Sequence, residues 1–190
     1  MKQPPALNRR RAALLLAALP LAAAASRAPQ SLPPEVAAEL RAAQLLGQAQ
    51  LRYLGLHVYD IRLWGEPGAI GRDLLSATLA LELEYARALD GQAIAERSLK
   101  EMQGLASVDA AQAERWLQQM RQIFPDVKKG DRVTGVQHPG HAARFFVNGQ
   151  PRGEVRDAEF TRLFFGIWLS PRTSQPKLRE ALLGSKARAT

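Results

Sequence analysis

The residues that could do chemistry are few: His57, the pair His138 and His141, and the carboxylates Glu82 and Glu84. His138-Pro-Gly-His141 has a spacing used by zinc ligands, but the intervening Pro-Gly makes a turn that need not aim both rings at one point. A catalytic zinc takes three protein ligands, and the sequence supplies no third beside these two. Glu82 and Glu84 occupy alternate positions of a strand, roughly 7 Å apart, a separation that paired carboxylates use in glycoside chemistry. In an antiparallel strand the same two residues read as a solvated face. His57, next to Val58, reads as a half-buried or surface histidine rather than a general base. No serine sits in Gly-x-Ser-x-Gly, so the hydrolase elbow is absent. With no cysteine there is no thiol nucleophile, thiolate metal site or disulfide. Gly65, Gly68 and Gly71 match neither the dinucleotide fingerprint nor a phosphate loop with its Lys-Ser/Thr ending. Nucleotide enzymes, zinc enzymes and serine hydrolases are all disfavoured, and the sequence assigns no catalytic residue, metal site or cofactor.

What remains is a concentration of large apolar side chains. Six of the twelve aromatic residues, Phe145, Phe146, Phe160, Phe164, Phe165 and Trp168, fall between positions 145 and 168. At helical spacing such residues are usually core. Phe165 and Leu169 nevertheless widen the apolar stripe beyond one face, so this helix must bury two sides, one against a sheet and the other against further core or around a ligand.

The elements that must position these residues follow from periodicity and punctuation. Thr78 to Tyr85 alternates with period two, with Leu79, Leu81, Leu83 and Tyr85 on one face and Glu82 and Glu84 on the other. Two strands are expected between Leu45 and Trp64, preceded by a short helix over Glu35 to Ala43. Asp90 and Asp109 are positioned to cap two helices, the second ended by Pro125. Three short strands follow over Asp131 to Val155, broken at Pro139-Gly140 and Asn148-Gly149, the latter a preferred hairpin turn. Asp157 caps a further helix, and Ser174 a last one that Gly184 closes. Strands, two helices, strands, two helices: the blocks are segregated, which indicates α+β with an antiparallel sheet rather than a doubly wound parallel one.

The 190 residues suit one domain. Lys2, Arg9, Arg10 and Arg11 precede a 14-residue apolar run from Ala12 to Ala25, the layout of a secretory signal peptide and too short to span a bilayer. Cleavage is expected after Ala25. The expected organisation is a signal peptide over 1–25, a linker and short helix over 26–44, the domain over 45–184 and a flexible tail over 185–190, with the mature protein periplasmic or secreted. Removing the signal leaves 22 Lys and Arg against 18 Asp and Glu, a net charge of +4, half the +8 of the whole chain. The excess positive charge is therefore largely the export signal's, and nucleic acid is not an expected partner.

Three stretches are familiar together: Gly47 to Trp64, Phe124-Pro-Asp-Val-Lys-Lys-Gly130-Asp131, and Phe164 to Gly184. In this order and spacing the chain resembles the bacterial exported branch of the chalcone-isomerase-like proteins, over roughly Leu45 to Gly184. The resemblance implies an open-faced β-sandwich, a large antiparallel sheet covered by a layer of helices with a ligand cleft between them. In the plant enzymes of this family the cleft closes a chalcone to a flavanone by attack of an internal phenolate. An arginine binds the substrate, and a Thr and a Tyr act on the ketone through water. That set is not retained. Tyr59 stands where the Thr would be, and the Tyr, Lys and Asn that follow a Gly at offsets of three, six and ten become Ile94, Arg97 and Glu101, counted from Gly91. An isoleucine offers no hydrogen bond to a water or ketone. A second branch of the family binds fatty acids without catalysis, using an arginine and a tyrosine for the carboxylate. Arg52 is the best counterpart of the cleft arginine. The resemblance therefore implies a non-catalytic domain for an elongated apolar carboxylic acid such as a fatty acid. Its candidate ligand-binding residues are Arg52, Tyr59, Arg97, Phe164 and Trp168. The alternatives are an interaction subunit of an envelope complex with no ligand, and an isomerase with a rearranged site.

Overall fold

The computed structural model describes residues 31–70 and 73–184. The expected signal peptide and its cleavage point, the beginning of the linker, Gly71 and the tail after Gly184 lie outside the described residues. Five helices and six strands follow one another as α1 (Pro34–Glu39), β1 (Gln44–Tyr53), β2 (Leu56–Gly65), β3 (Leu79–Tyr85), α2 (Gly91–Leu105), α3 (Ala110–Ile123), β4 (Arg132–His138), β5 (Ala142–Val147), β6 (Gln150–Val155), α4 (Ala158–Leu169) and α5 (Pro176–Leu183). The strands form one antiparallel sheet in sequence order, β1 to β6. The expected α+β class and helix-covered sheet are those observed.

Local chemistry explains the helix starts. Asp90 accepts from the Ala93 N–H at 2.8 Å, Asp109 from Gln112 at 2.9 Å, and Asp157 from Glu159 and Phe160 at 2.9 Å each. Each carboxylate satisfies backbone donors that a helix leaves open at its N-terminus. The last helix departs from expectation. Pro176 takes its first turn, so the flanking residue is Gln175, whose side chain does not cap; Thr173 Oγ1 instead accepts from the Gln175 N–H at 3.1 Å. The first helix also stops earlier than expected, at Glu39.

Alternation decides which face each strand residue takes. Tyr59, Ile61 and Leu63 of β2, Leu79 to Tyr85 at every second position of β3, and Phe145 of β5 point to the main core, which α2, α3, α4 and α5 cover. Helix α4 buries Phe160, Leu163, Phe164, Phe165, Ile167, Trp168 and Leu169, so its wide apolar surface does lie against neighbours on more than one side. Helix α5 crosses β1 so closely that a Cβ at Gly47 would lie 1.8 Å from the Leu182 carbonyl oxygen. Glycine there is a packing requirement.

The opposite face of the sheet corrects the reading of β3 as wet on one side. A second, smaller core of Val36, Leu40, Trp64, Ala80, Val136 and Phe146 lies there beneath α1. Glu82 is buried within this layer, 3% exposed. Its Oε2 accepts from Trp64 Nε1 at 2.8 Å and its Oε1 from Arg62 Nη1 at 3.1 Å. Arg62 also donates to Glu84 at 2.8 Å, and Arg132, held by Glu35 at 2.9 Å, brings its Nε to 3.5 Å from Glu82 Oε1. Glu82 and Glu84 are thus members of a cross-strand ionic chain, and of the two only Glu84 reaches solvent to any extent. Periodicity alone missed this because α1, far away in sequence, supplies the cover.

Candidate functional site

Between the inner face of the sheet and the helices lies a cavity of about 400 Å³, within the ~300–1,000 Å³ of small-molecule pockets. Its floor is Leu81 and Leu83 of β3, Val133 of β4 and Phe145 of β5. Phe164, Ile167 and Trp168 of α4 make one wall, and Ile94, Arg97 and Glu101 of α2 another. Tyr53, Arg87 and Arg97, all exposed, mark where it meets solvent.

Helix α2 presents Ile94, Arg97 and Glu101 on one stripe because their spacings of three and four follow the helical period. These three positions, derived from Gly91 by offset, do fall together on the cavity. Arg97 Nη2 lies 2.5 Å from Glu101 Oε1, with Glu101 the less exposed partner. Tyr59, on β2, also faces inward. Trp168 Nε1 donates to its hydroxyl oxygen at 2.9 Å, which leaves the phenol's own proton to donate. Tyr85 stands opposite Tyr59 in the β2–β3 ladder, the rings meeting edge-on with centroids 5.9 Å apart. Phe164 stacks edge-on with Trp168 at 5.5 Å and with Phe145 at 5.1 Å.

Arg52 is not brought to this site. It follows Leu51, the cavity-lining partner of Tyr59 in the β1–β2 register, and points to the other side of the ribbon. There its guanidinium donates to Gln50 Oε1 at 2.8 Å and reaches the Gly55 carbonyl at 3.5 Å. Of the two arginines expected at the site, Arg97 lines the cavity and Arg52 does not. Tyr59, Arg97, Phe164 and Trp168 are brought together on the cavity. Sequence reasoning passed over Tyr85 and Arg87. Tyr85 carried a usable signal, since it shares the period-two face of Leu81 and Leu83; Arg87, just past the end of β3, carried none.

Burial pushes the Tyr59 phenol up from 10 to about 12, against the lowering effect of the Trp168 N–H; Glu101 adds to the rise and Arg97 opposes it. Burial also raises Tyr85, with a contribution from Tyr59. Folding therefore holds the Tyr59 proton that the unfolded chain releases near pH 10. The associated stability is fully present below pH 10 and is lost as pH rises to 12, about 2–3 kcal/mol in all. Urea unfolding of wild type and Tyr59→Phe across this range is expected to show a shallower alkaline decline in the variant, part of the slope remaining with Tyr85. Equal slopes would remove Tyr59 from the account.

Among the described residues the two histidines with charged partners lie away from this cavity. His138 Nε2 lies 3.0 Å from Glu39 Oε2 on the outer face, and His57 Nε2 3.5 Å from Asp60. Among the described residues no group of three or more His, Asp or Glu stands close enough to hold a metal ion.

Comparison with known proteins agrees with the geometry. The model of a family described as chalcone isomerase-like matches residues 36–184. An uncharacterized protein of Haemophilus influenzae is 30% identical over 141 residues, covering 74% of this chain and 68% of that one. Among solved structures, a fatty-acid binding protein of Arabidopsis thaliana superposes with a TM-score of 0.61 at 15% identity, over 75% of this chain and 87% of its own. At that identity the likeness concerns the fold.

Proposed function

The chain belongs to the chalcone isomerase-like family, and on that footing we propose that it binds an elongated apolar carboxylic acid, a fatty acid being the type, without transforming it. The observation that carries the reading is an apolar cavity whose solvent end holds two arginines, Arg87 and Arg97, against one acid, Glu101. A hydrocarbon chain lies along Leu81, Leu83, Phe145 and Phe164. The carboxylate takes the guanidinium donors of Arg97 that Glu101 leaves free, since the group carries five N–H donors in a planar fork. The Tyr59 proton adds one directional donor, its oxygen being already engaged by Trp168. Glu101 keeps Arg97 oriented in the empty protein and competes with the incoming acid, which favours reversible binding. The absence of a catalytic step rests on Ile94: the position from which the plant enzymes present a tyrosine holds a side chain with no donor to stabilise developing enolate charge. The proposed place of action is the periplasm, reached through the signal peptide expected over residues 1–25, with no cofactor.

The test is displacement of a fluorescent fatty acid by unlabelled palmitate and by hexadecanol, in wild type and Arg97→Ala. A charge-assisted contact of this kind is worth roughly ten-fold or more in affinity. Palmitate is expected to weaken by that factor in the variant while hexadecanol changes little. Equal weakening of both would take the carboxylate away from Arg97, and failure of the wild type to bind either would end the carrier reading.

A further inference from the structure

The hairpin joining β1 and β2 ends in an apolar point that the fold does not use. Tyr53, Leu54 and Leu56 are 60%, 85% and 55% exposed, three of the four exposed large apolar residues among those described. Leu54 and Gly55 form the turn with φ of 48° and 79°. The β5–β6 hairpin makes the same turn with Asn148 and Gly149, at φ of 50° and 81°. There the choice of residue is explained: asparagine tolerates positive φ, and Asn148 accepts from the Arg132 N–H at 2.8 Å and donates to Asp131 at 3.1 Å. A leucine in that conformation carries a backbone cost of about 1 kcal/mol and here makes no core contact in return. Strain kept at an exposed apolar residue points to a role outside the fold.

The position of the tip indicates what it meets. Leu51, Tyr53 and Val58, on the arms of the same hairpin, line the cavity, so the tip stands beside its opening. Arg52 lies on the tip itself, and Arg87 and Arg97 stand exposed at the mouth. The hairpin's one acid, Asp60, is engaged by Gln50 at 3.1 Å and faces His57. We propose that the β1–β2 tip docks the protein on an anionic phospholipid surface, Tyr53, Leu54 and Leu56 entering the headgroup region and the arginines facing the lipid phosphates. A convex point of three residues is too small for the ~1,000 Å² of a stable protein interface. Reversible attachment to a bilayer needs only a few apolar side chains and a basic collar. Docking sets the cavity mouth at the depth where acyl chains begin. This last consequence rests on the ligand-binding reading above; the docking itself does not.

The test uses the protein as recovered after export. It is sedimented with vesicles of phosphatidylglycerol and phosphatidylethanolamine, and with vesicles of phosphatidylcholine alone. In the variant Leu54→Asn/Leu56→Thr the first change gives the turn the Asn-Gly pair of the second hairpin and the other puts a β-favouring polar residue at an exposed strand position, so it is expected to fold at least as well as wild type. Neither residue lines the cavity, and fatty-acid affinity without vesicles is expected to stay as it was. Partition to the anionic vesicles is expected to drop about ten-fold in the variant and to weaken with salt in wild type. Wild type that sediments with neither vesicle, binds both equally, or is matched by the variant would overturn the proposal. Vesicle binding and fatty-acid binding are read separately, so docking can fail while the carrier reading stands, and the reverse.

Discussion

An Ile94→Trp variant is expected to fold as wild type does and to take up no long-chain acid. Ile94 is half-buried on the second turn of α2, and its side chain rests at the edge of the core and borders the open volume of the cavity. Enlarging a residue inside a filled core costs about 1–3 kcal/mol because neighbours must leave their rotamers. Here the added ring enters the cavity that the ligand would fill, so stability is expected to remain within about 1 kcal/mol. The ligand loses both space and the apolar surface it would bury, which at ~25 cal/mol per Å² corresponds to a fall in affinity of roughly a hundred-fold or more. The decisive comparison is a urea midpoint beside a fatty-acid titration. A variant that is stable and binds as wild type does would place the ligand elsewhere. The substitution leaves Arg97 and Tyr59 intact, so it separates loss of volume from loss of the head-group contact.

The second large effect concerns stability. Glu82→Ala is expected to cost about 3–5 kcal/mol, because it strips a carboxylate from a buried array and leaves its partners behind. Trp64 Nε1 loses its 2.8 Å acceptor, and Arg62, almost wholly buried, keeps only Glu84. Arg132 loses the carboxylate that faces its Nε. Glu82→Gln, which still accepts from Trp64, is expected to cost less. Thermal or urea unfolding of the pair orders them, and a Glu82→Ala cost near that of an ordinary surface substitution would contradict the burial described here. Such a loss acts on the outer layer beneath α1 and is expected to leave affinity in the surviving folded fraction unchanged.

Much of the fold could be read from local signals. The capping aspartates, the period-two run of β3 and the Asn148-Gly149 turn each place an element through chemistry confined to a few neighbours. What could not be read was the facing of β2, since both alternating sets, Tyr59, Ile61 and Leu63 in one and Val58 and Trp64 in the other, are substantially apolar, and the register irregularity opposite Leu51 and Arg52 brings Val58 to the cavity beside Tyr59. The reason is visible in the structure: both faces of the sheet are covered, one by α2 to α5 and the other in part by α1. For the same reason Glu82 was read as solvated and Arg52 as a cavity residue. Arg52 directly follows a register irregularity near the end of β1, where a one-residue shift changes the face to which a side chain points. Helical positions were more legible. The offsets from Gly91 brought Ile94, Arg97 and Glu101 to one wall, because a helix keeps its phase over three turns.

Native mass spectrometry of the protein, purified without detergent, tests most directly whether the cavity holds an apolar acid. A bound mass in the range of a long-chain acid is expected in wild type, diminished in Arg97→Ala and absent in Ile94→Trp. A bare protein mass that stays unshifted after fatty acids are added would contradict the carrier reading.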